Sequence, residues 1–425
     1  MNIWFVNQYA ITPSQAGPMR HYDLARELVE RGHGVLIIAS DFDHFSHVKR
    51  RLSDTKECRT ELVDGIRYVW LNSPEYSHNG GRRIWNMVHF AFSVVRRSTA
   101  LSRDSPPDVI IGSSPTLFAA LAARLAARRL RVPFVFEVRD LWPKSLVELG
   151  NISEKHPIVF ALSIIERHLY RAAAHVVTLL PGTIDYITQS GARPHAVSWI
   201  PNGVSLKSLE CMPRTDTAKP FIALYAGAHS TANPLDSVLD AAAILDQRGL
   251  DKRIQIHLVG NGPQKARLQA RAQNERLKSL KFFDEVPKYA VTTLMEQADA
   301  LLLPLRKSAL YKFGVSPNKL YQYMAAARPL VFTSGSCNNP VQEAGAGITV
   351  QSEDPLALAD GLENLSSLPE HELRSMGMRG RQYVEAHHSM SDLGRRLERI
   401  LIDTLAVSVA RPDELAGAAK TPAPQ

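Results

Sequence analysis

Residues 221–260 contain the clearest sequence evidence for the fold. In this stretch, two apolar runs, "FIALYAG" (221–227) and "IQIHLVG" (254–260), flank the helical pattern "LDSVLDAAAILDQRG" (235–249). Short, continuous apolar runs are typical of strands in a parallel sheet that is covered on both faces. The segment between them repeats its apolar residues at helical spacing. The stretch therefore predicts a strand–helix–strand unit and an α/β fold.

Both halves of the chain show the same alternation. The further apolar runs are "NIWFVN" (2–7), "HGVLIIAS" (33–40), "DVIIGSS" (108–114) and "PFVFEV" (133–138) in the first half, and "LKFFDEV" (280–286), "ADALLLPL" (298–305), "PLVFTS" (329–334) and "GITVQS" (347–352) in the second. Longer helical patterns separate many of these runs. The sequence therefore predicts two doubly wound, Rossmann-like domains facing a central cleft, with ligands beyond the carboxyl ends of the strands.

The length of 425 residues also favours two domains. A segment rich in Pro, Gly, Ser and Thr predicts the join between them. The predicted parts are an N-terminal domain (1–200), a linker (201–219), a C-terminal domain (220–385), a C-terminal helix (386–406) and a disordered tail (407–425). Whether the C-terminal helix returns to the N-terminal domain stays open at this point.

The cysteines and the apolar runs limit the cellular compartments in which we expect the protein. Cys58, Cys211 and Cys337 lie far apart in the sequence, which fits a reducing compartment and predicts neither a disulfide framework nor a zinc site. The first residues, "MNIWFV" (1–6), are predicted to form a strand rather than a signal peptide. No run approaches the ~18 apolar residues of a membrane span. We therefore expect a cytoplasmic protein or one that lies on a membrane surface.

Positive charge is concentrated in one block. Between Arg82 and Arg131 there are nine Arg and only two acidic residues, Asp104 and Asp108. Such a block predicts an anionic partner, which could be phosphate, nucleic acid or anionic lipid. Because the block contains no nucleic-acid recognition motif, we do not expect nucleic acid.

Part of this block, "GGRRIWNMVHFAFSVVRRS" (80–98), has a helical pattern. The apolar face predicted from the spacing consists of Ile84, Met87, Val88, Ala91, Phe92 and Val95. Arg pairs stand at both ends, as in a helix that docks on anionic lipid. The residues predicted to meet the membrane or the acceptor are Arg82, Arg83, Trp85, Arg96 and Arg97. A core-packed helix with solvated ends remains the alternative.

Four loops after predicted strands are candidates for ligand contacts. In the first, Gly17 precedes a helix, whose N-terminus favours an anion. In the second, Glu137, Arg139 and Asp140 follow a strand and are expected to face the cleft, with Arg139 suited to a phosphate. In the third, Gly227 is followed by the possible donors His229 and Ser230. The alternatives are ordinary turns in the first and third loops, and an internal Arg–carboxylate pair in the second.

The fourth loop, in "KFGVSPNKLYQYMAAARPLV" (312–331), is the most specific. Pro317 is predicted to lie in the first helical turn. Lys319 then lies close to the positive end of the helix, where a fixed cation is unfavourable by itself. The arrangement makes sense if a doubly charged anion such as a diphosphate binds there. The alternative for Lys319 is a solvated lysine on a surface helix. Gln322, one turn later, can hydrogen-bond a ribose or sugar hydroxyl.

Four segments in order carry a resemblance to a known family. They are "FEVRDLWPKSLVELG" (136–150), "IPNGVSL" (200–206), "LVGNGPQKARL" (258–268) and "GVSPNKLYQYMAAARPLVF" (314–332). Over about residues 1–400, the chain resembles the retaining glycosyltransferases of family 4, which have the GT-B fold. It is most similar to the branch that builds bacterial O-antigen and capsule polysaccharides, including fucosamine-type transferases.

The resemblance implies a nucleotide-sugar donor, usually UDP-linked, held mainly by the C-terminal domain. The N-terminal domain would hold a lipid-linked (polyprenyl diphosphate) saccharide acceptor at the inner face of the plasma membrane. No cofactor besides the nucleotide sugar and no obligatory metal are implied. Two alternatives stay open: a nucleotide-sugar 2-epimerase of the same architecture, and a non-catalytic GT-B subunit that binds a nucleotide or a partner.

The resemblance also assigns roles to residues. The residues implied to bind the donor and its phosphates are Gly17, Gly227, His229, Ser230, Gly314, Val315, Ser316, Asn318 and Lys319. Val286 would meet the base through its backbone, and Gln322 would replace the ribose-binding carboxylate of the family. The expected catalytic residues are Arg139, Asp140 and Lys319, which would act without a metal. The chain departs from the family's E-x7-E motif, because Gly314 and Gln322 replace both carboxylates.

Overall fold

The structure is a computed structural model. It describes residues 1–410, except 16, 45, 53–55, 79, 151 and 207–219. The chain forms two compact units. Unit 1 contains Met1–Pro201 and the chain from Met390 onward, and unit 2 is Asn202–Ser389. Most of the predicted linker (207–219) and most of the predicted tail (411–425) lie outside the described residues.

Unit 1 is built on an eight-stranded sheet. Its strands are β1 (Asn2–Val6), β2 (Gly34–Ser40), β3 (Cys58–Val63), β4 (Ile66–Leu71), β5 (Val109–Ser113), β6 (Phe134–Val138), β7 (His175–Thr178) and β8 (Val197–Trp199). Their order in the sheet is β3-β4-β2-β1-β5-β6-β7-β8, and every pair is parallel except β3 with β4. The helices between them are α1 (Arg20–Glu30), α2 (Gly81–Asp104), α3 (Leu117–Leu130), α4 (Lys144–Gly150), α5 (Pro157–Ala172) and α6 (Ile184–Gln189).

Unit 2 is built on a six-stranded parallel sheet. Its strands are β9 (Phe221–Ala226), β10 (Ile254–Val259), β11 (Leu280–Phe283), β12 (Ala300–Pro304), β13 (Leu330–Thr333) and β14 (Gly347–Val350), in the order β11-β10-β9-β12-β13-β14. Its helices are α7 (Leu235–Gln247), α8 (Lys265–Asn274), α9 (Lys288–Gln297), α10 (Asn318–Ala325), α11 (Pro340–Ala344), α12 (Pro355–Ser367) and α13 (Glu370–His387). The two parallel, helix-covered sheets confirm the predicted doubly wound α/β fold class.

Apolar burial holds each unit together. In unit 1, Ile3, Phe5 and Ile37 are fully or almost fully buried in the cluster that α1 covers. In unit 2, the predicted strand–helix–strand stretch contributes Tyr225 and Ile256 to the main cluster. Burial of one such large side chain stabilises the fold by roughly 1.5–3 kcal/mol. The continuous apolar strands of the sequence are therefore the strands of the two cores.

The last helix, α14 (Met390–Ala410), packs against α1 in unit 1. The two helices approach closely, because a Cβ on Gly394 would lie 2.6 Å from Cβ of Glu27. The predicted helix bounds (386–406) were wrong at both ends: α13 continues to His387, and the new helix begins only at Met390. In unit 2, Val204 N donates to His388 O (3.0 Å), which fixes extended backbone where a continuous helix was expected.

Candidate functional site

Lys319 lies in the first turn of α10. Pro317 occupies the N-cap with extended backbone (φ −73°, ψ 136°), and the helix begins at Asn318. The prediction that Pro317 belongs to the first helical turn was therefore wrong by one position. The amides of Asn318 and Lys319 have no intrahelical carbonyl to bond, because they open the helix. This end of α10 offers N–H groups and positive potential to an anion.

The Lys319 ammonium is mostly shielded from water and has no acidic partner. Its Nζ lies 3.4 Å from Oη of Tyr225 and 4.7 Å from the centre of that ring. In the described part of the chain, no carboxylate pairs with Nζ. Burial lowers the pKa of Lys319 to about 8. Because an unpaired shielded cation is unfavourable, an anion bound beside it would stabilise the charged form.

A second lysine of unit 2 shows the contrast. Lys265, which is 8% exposed, donates from Nζ to Gly260 O (2.9 Å), Phe283 O (3.0 Å) and Asp284 Oδ1 (2.7 Å). The fold thus surrounds this structural lysine with three oxygen acceptors. Among the described residues, Lys319 Nζ has only a phenol oxygen and a ring face beside it. Because its ammonium lacks such acceptors within the described chain, Lys319 is the better of the two lysines for binding an external anion.

Gly227 makes room for the Lys319 side chain at the carboxyl end of β9. A Cβ at position 227 would lie 1.6 Å from Lys319 Nζ. The two predicted donor-site residues, far apart in the sequence, are therefore in direct contact. The loop after β10 lies equally close, because a Cβ on Gly260 would lie 2.0 Å from Gly227 O. Glycine is required at both positions for the two loops and the lysine to meet.

His229 does not face solvent, although the sequence predicted a donor for the ligand. Its side chain is 0% exposed, with ring centres of Tyr225 and Phe282 at 6.2 and 5.9 Å. Burial, and then the charges of Lys265 and Lys319, lower the pKa of His229 to about 4, so the ring is neutral at pH 7. Neither ring nitrogen has a hydrogen-bond partner among the described residues.

The backbone of His229 locks two loops together. Its N–H donates to Asn261 O (2.8 Å), and its carbonyl accepts from Gln264 N (3.0 Å). Ser230, the next residue, is partly exposed and belongs to the turn before α7, where its Oγ accepts from Asn233 Nδ2 (3.3 Å). Of the two side-chain donors expected here, the structure leaves Ser230 accessible and His229 buried.

The loop before α10 is held by two asparagines that the sequence did not single out. Gly314 has φ 102°, a conformation that favours glycine. Asn338 donates to Val315 O (3.0 Å) and accepts from Val315 N (2.7 Å), so this amide is already engaged. Asn202 donates from its backbone to Ser316 Oγ (2.8 Å) and from its side chain to Ser316 O (2.5 Å). Leu320 N already donates to Pro317 O (3.1 Å), whereas the amides of Asn318 and Lys319 bond no described residue and remain for a ligand.

The residues assigned to ribose and base lie near this edge of the unit-2 sheet. Gln322 is one turn beyond Lys319, partly exposed, and its side-chain amide has no hydrogen-bond partner among the described residues. Val286 lies in the loop after β11 and packs partly against the cluster that contains Leu320. Both positions are compatible with contacts to a nucleoside, and their roles remain predictions.

In unit 1, Glu137 is a buried structural charge. It is 2% exposed, and its Oε1 accepts from Arg20 Nε (2.8 Å). Its Oε2 bonds His21 Nε2 (2.7 Å) and Ser113 Oγ (2.5 Å). Burial alone would raise the pKa of Glu137, but the charges of His21 and Arg20 hold it well below its usual range. The expectation that Glu137 faces a ligand was wrong, and the alternative of an internal pair holds with Arg20 as the partner.

Arg139 and Asp140 follow Glu137 at the end of β6. Both backbone amides donate to Ser114 Oγ, at 2.8 and 3.3 Å. The Asp140 side chain is exposed, and Arg139 is partly exposed with a buried Nε that has no hydrogen-bond partner among the described residues. Gly17 (φ 144°) is exposed in the loop before α1. Arg139, Asp140 and Gly17 are thus at least partly accessible at the carboxyl edge of the unit-1 sheet.

Helix α2 has two apolar faces. The residues of the single apolar face that the sequence predicted lie partly on one and partly on the other. Met87, Phe90 and Val94 are buried against unit 1. The exposed apolar strip consists of Ile84 (44% exposed), Trp85 (58%), Val88 (37%) and Phe92 (65%). The core-packed alternative is therefore correct for one face, and the strip leaves a second face open. Among the described residues, no helix combines the length and apolar character needed to cross a membrane.

The arginines of α2 are in different environments. Arg82, in the first turn, is exposed, and Arg83 lies close enough to Tyr9 to lower the pKa of that phenol against the dominant effect of burial. Arg96 Nη2 donates to Glu57 Oε2 (2.6 Å), and Arg97 bonds the same oxygen. The second Arg pair is thus partly neutralised by a carboxylate that the sequence analysis did not consider.

Two family models match consecutive parts of the chain. The "Glycosyl transferase 4-like domain" matches residues 18–203, and "Glycosyl transferases group 1" matches residues 220–367. With the two doubly wound units, they define the protein as a glycosyltransferase of the GT-B fold. The chain belongs to glycosyltransferase family 4.

Individual proteins are also similar to this chain in sequence or in structure. The WcaI protein of Escherichia coli K12, whose name describes a colanic acid biosynthesis glycosyl transferase, is 25% identical over 331 residues, covering 74% of this chain and 80% of WcaI. Sucrose-phosphate synthase from Thermosynechococcus elongatus has a TM-score of 0.75 at 16% identity, over 96% of this chain and 100% of that one. Anabaena HepE, solved with UDP and glucose, has a TM-score of 0.65 at 14% identity, over 95% and 100%. These two structures show a shared fold.

Proposed function

We propose that this glycosyltransferase moves a sugar from a UDP-linked donor to a lipid-linked saccharide in the synthesis of a bacterial surface polysaccharide. The observation that carries the proposal is Lys319, a shielded cation at the start of α10 that has no carboxylate partner in the described part of the chain. A nucleoside diphosphate is an anion that fits such a site. The similarity to WcaI supports polysaccharide synthesis as the context.

The chemistry follows from where charge develops. As the sugar departs, negative charge grows on the outer phosphate of the donor, and fixed positive groups stabilise that transition state. In the proposal, Lys319 and the first amides of α10 supply the charge, with no divalent metal needed. The N-terminal residues Arg139 and Asp140 would orient the acceptor and the sugar. The anomeric configuration would be retained, with the acceptor hydroxyl attacking the face that the leaving group vacates.

The membrane part of the proposal rests on α2. Its exposed strip of Ile84, Trp85, Val88 and Phe92 is an apolar surface, and Arg82 and Arg96 lie near its two ends. Apolar residues flanked by arginines match the interface of an anionic membrane. A lipid-linked acceptor such as a polyprenyl diphosphate saccharide would be reached from that position.

Gln322 favours a second candidate function. It replaces the carboxylate with which the family holds the ribose, and its amide is unengaged among the described residues. A non-catalytic subunit that binds a nucleotide would tolerate this change. Nucleotide binding without turnover, over a panel of donors and acceptors, would support this candidate.

The test is a thermal-shift screen against UDP-, GDP- and dTDP-sugars, because a ligand that binds only the folded protein raises Tm by mass action. We expect a UDP-sugar to stabilise the protein, and the Lys319→Met variant to lose most of that shift. Stabilisation by UDP-sugars that is equal in the variant would contradict the assignment of Lys319. No stabilisation by any nucleotide sugar would contradict the proposed function.

A further inference from the structure

A cavity of about 450 Å³ lies beside α2 at the outer edge of the unit-1 sheet. Its walls come from α2, from the segment that enters β3 and from the segment that leaves β4. Three cationic side chains line it, Lys56, Arg96 and Arg97, together with Ser93 and a single carboxylate, Glu57. None of the donor-site residues described above contributes to it. The cavity is therefore a separate site with an excess of positive charge.

The carboxylate of Glu57 binds only weakly to the two arginines of this cavity. Glu57 accepts hydrogen bonds from Arg96 and Arg97, and these bonds and charges lower its pKa. Its side chain is 62% exposed, so the pairing is screened by water. Arginine also prefers an oxyanion that can accept several N–H groups, and a phosphate offers more acceptor oxygens than one carboxylate. An incoming phosphate can therefore displace Glu57 from the two arginines.

The cavity opens next to the apolar strip of α2. Phe92, which is 65% exposed, belongs to both the strip and the cavity wall. Ile84 and Val88 continue the strip at intervals of four residues, which places them along one line of the helix. A ligand with a phosphate in the cavity would thus have its hydrocarbon part beside exposed apolar side chains.

We propose that this cavity binds the phosphate of an anionic phospholipid headgroup and so seats α2 on the membrane. The inference rests on the membrane docking in the proposed function and adds to it a headgroup site. The phosphate would take the N–H groups of Arg96 and Arg97, and the acyl chains would leave along Phe92 and Val88. Binding is non-covalent, and it exchanges one oxyanion for another.

The position in the sheet separates this site from the reacting groups. The cavity borders β4, whereas Arg139 follows β6, four strands away in the order β4-β2-β1-β5-β6. At about 4.8 Å per strand, this is roughly 19 Å. A phosphate in the cavity is therefore too far from Arg139 to be the group next to the transferred sugar. The diphosphate of an acceptor lipid could lie in the cavity only if its saccharide spanned this distance, whereas a bulk phospholipid has no such requirement, and we therefore assign the cavity to a bulk phospholipid.

The experiment measures binding of the full-length protein to vesicles of phosphatidylcholine, alone or with phosphatidylglycerol, by co-sedimentation. The blue shift of Trp85 emission on binding is a second readout, with Trp85→Phe as its blank. A surface cation contributes about fivefold in affinity for an anionic membrane, so the Arg96→Gln/Arg97→Gln double variant should bind about 30-fold more weakly. The control Arg103→Gln, on the same helix but outside the cavity, should lose at most about fivefold.

Two further variants act inside the cavity itself. Glu57→Gln removes the competing carboxylate and should strengthen binding, whereas Ser93→Glu should weaken it. Both side chains lie at the surface of the cavity, and an unchanged Tm would show that each variant is folded. If Glu57→Gln and Ser93→Glu both bound like the wild type, the cavity would not be the headgroup site.

Vesicle composition distinguishes the sources of the anion. Vesicles with a fatty acid at equal surface charge should bind more weakly than those with phosphatidylglycerol, and equal binding would reduce the effect to charge alone and overturn the proposal. Phosphatidylcholine vesicles in which polyprenyl diphosphate is the anionic lipid should bind weakly. Strong binding there that is lost in the double variant would assign the cavity to the acceptor lipid and overturn the proposal as well. The donor thermal shift of the wild type tests the proposed function separately from all these results.

Discussion

Gly227 and Lys319 are in contact: a Cβ on the glycine would lie 1.6 Å from the lysine Nζ. The pair joins the end of β9 to the start of α10 within unit 2. Because the lysine side chain fills the space that any other residue would need, the glycine determines where the cation lies.

The first prediction concerns Gly227→Ala. The added methyl group displaces the Lys319 side chain, so affinity for the UDP-sugar should fall about 10-fold or more, as for a lost hydrogen bond to a charged group. Calorimetric titration measures it. The control is Gly361→Ala in α12, where a Cβ meets neighbours only at 3.5 Å or more. Equal affinities of the two variants would show that the contact is irrelevant to the donor.

The second prediction concerns the charge of Lys319. Lys319→Met should lower turnover about 10²–10³-fold, which is the usual loss for one fixed donor to the developing charge. Lys312→Met is the matched control, because this lysine is exposed in the same stretch. Turnover is followed as release of UDP from the donor. Activity of Lys319→Met near that of the control would rule out this role.

The third prediction is a pH dependence. The pKa of Lys319 is lowered to about 8, so the free site loses its proton above that pH. Affinity for the donor should therefore fall as pH rises through 8, and binding near pH 8.5 should take up protons because the phosphate raises the pKa again. Titration calorimetry in buffers of different ionisation enthalpy measures the uptake. Lys319→Met should show none, and equal uptake by wild type and variant would contradict the prediction.

The same lowered pKa affects the stability of the free protein. Between pH 8 and the ordinary lysine value of 10.5, the unfolded chain holds more protons than the folded one, so the contribution of Lys319 to stability rises with pH across this window. Below pH 8, the charged lysine costs folding free energy. Without donor, the Tm of Lys319→Met should therefore not fall below that of the wild type at pH 7.

The fourth prediction concerns Gln322. Gln322→Glu introduces a charged acceptor for the ribose hydroxyls, and affinity for UDP should rise about fivefold, since such bonds are stronger by about 1 kcal/mol. The comparison ligand is the 2′-deoxy nucleotide, for which the gain should shrink. A gain of equal size for both nucleotides would mean that Gln322 does not contact the 2′-hydroxyl.

The fifth prediction concerns the buried charges of unit 1. Glu137→Gln leaves Arg20 without its carboxylate and should cost about 3–5 kcal/mol of the free energy of unfolding. Because the pKa of Glu137 is lowered in the fold, its contribution is present near neutral pH and is lost as pH falls through the folded value. Denaturant unfolding of unit 1 measures both effects. The control Glu30→Gln alters an exposed pair and should cost less than about 1 kcal/mol; a similar small loss in Glu137→Gln would contradict the assigned role.

The sequence predicted the parts of the fold that depend on local pattern. Most of the continuous apolar runs form buried strands, because burial on both faces of a sheet favours apolar residues along the whole strand. The strands β11 and β14 are only partly buried. The strand β3 (Cys58–Val63) was missed because it is a largely exposed edge strand with polar side chains. Its neighbour β4 was also missed, although it is buried and mainly apolar. The pattern of α2 was ambiguous for the opposite reason: Met87 and Phe92 lie on different faces, and both are apolar.

Residue roles were predictable only where they depend on local sequence. The cation at the start of α10 could be recognised from "SPNK" (316–319), because the helix end and the lysine are neighbours in the chain. The partners of Glu137 could not, since Arg20 is 117 residues away. For the same reason, no sequence signal indicated that Gly227 shapes the position of Lys319, or that Asn338 holds the loop at Val315.

The most direct test of the central claim is a crystal structure of the protein with UDP. We expect an oxygen of the diphosphate within about 3 Å of Lys319 Nζ, at hydrogen-bond distance, beside the first amides of α10. A bound UDP whose diphosphate leaves Lys319 Nζ without a phosphate contact would contradict it.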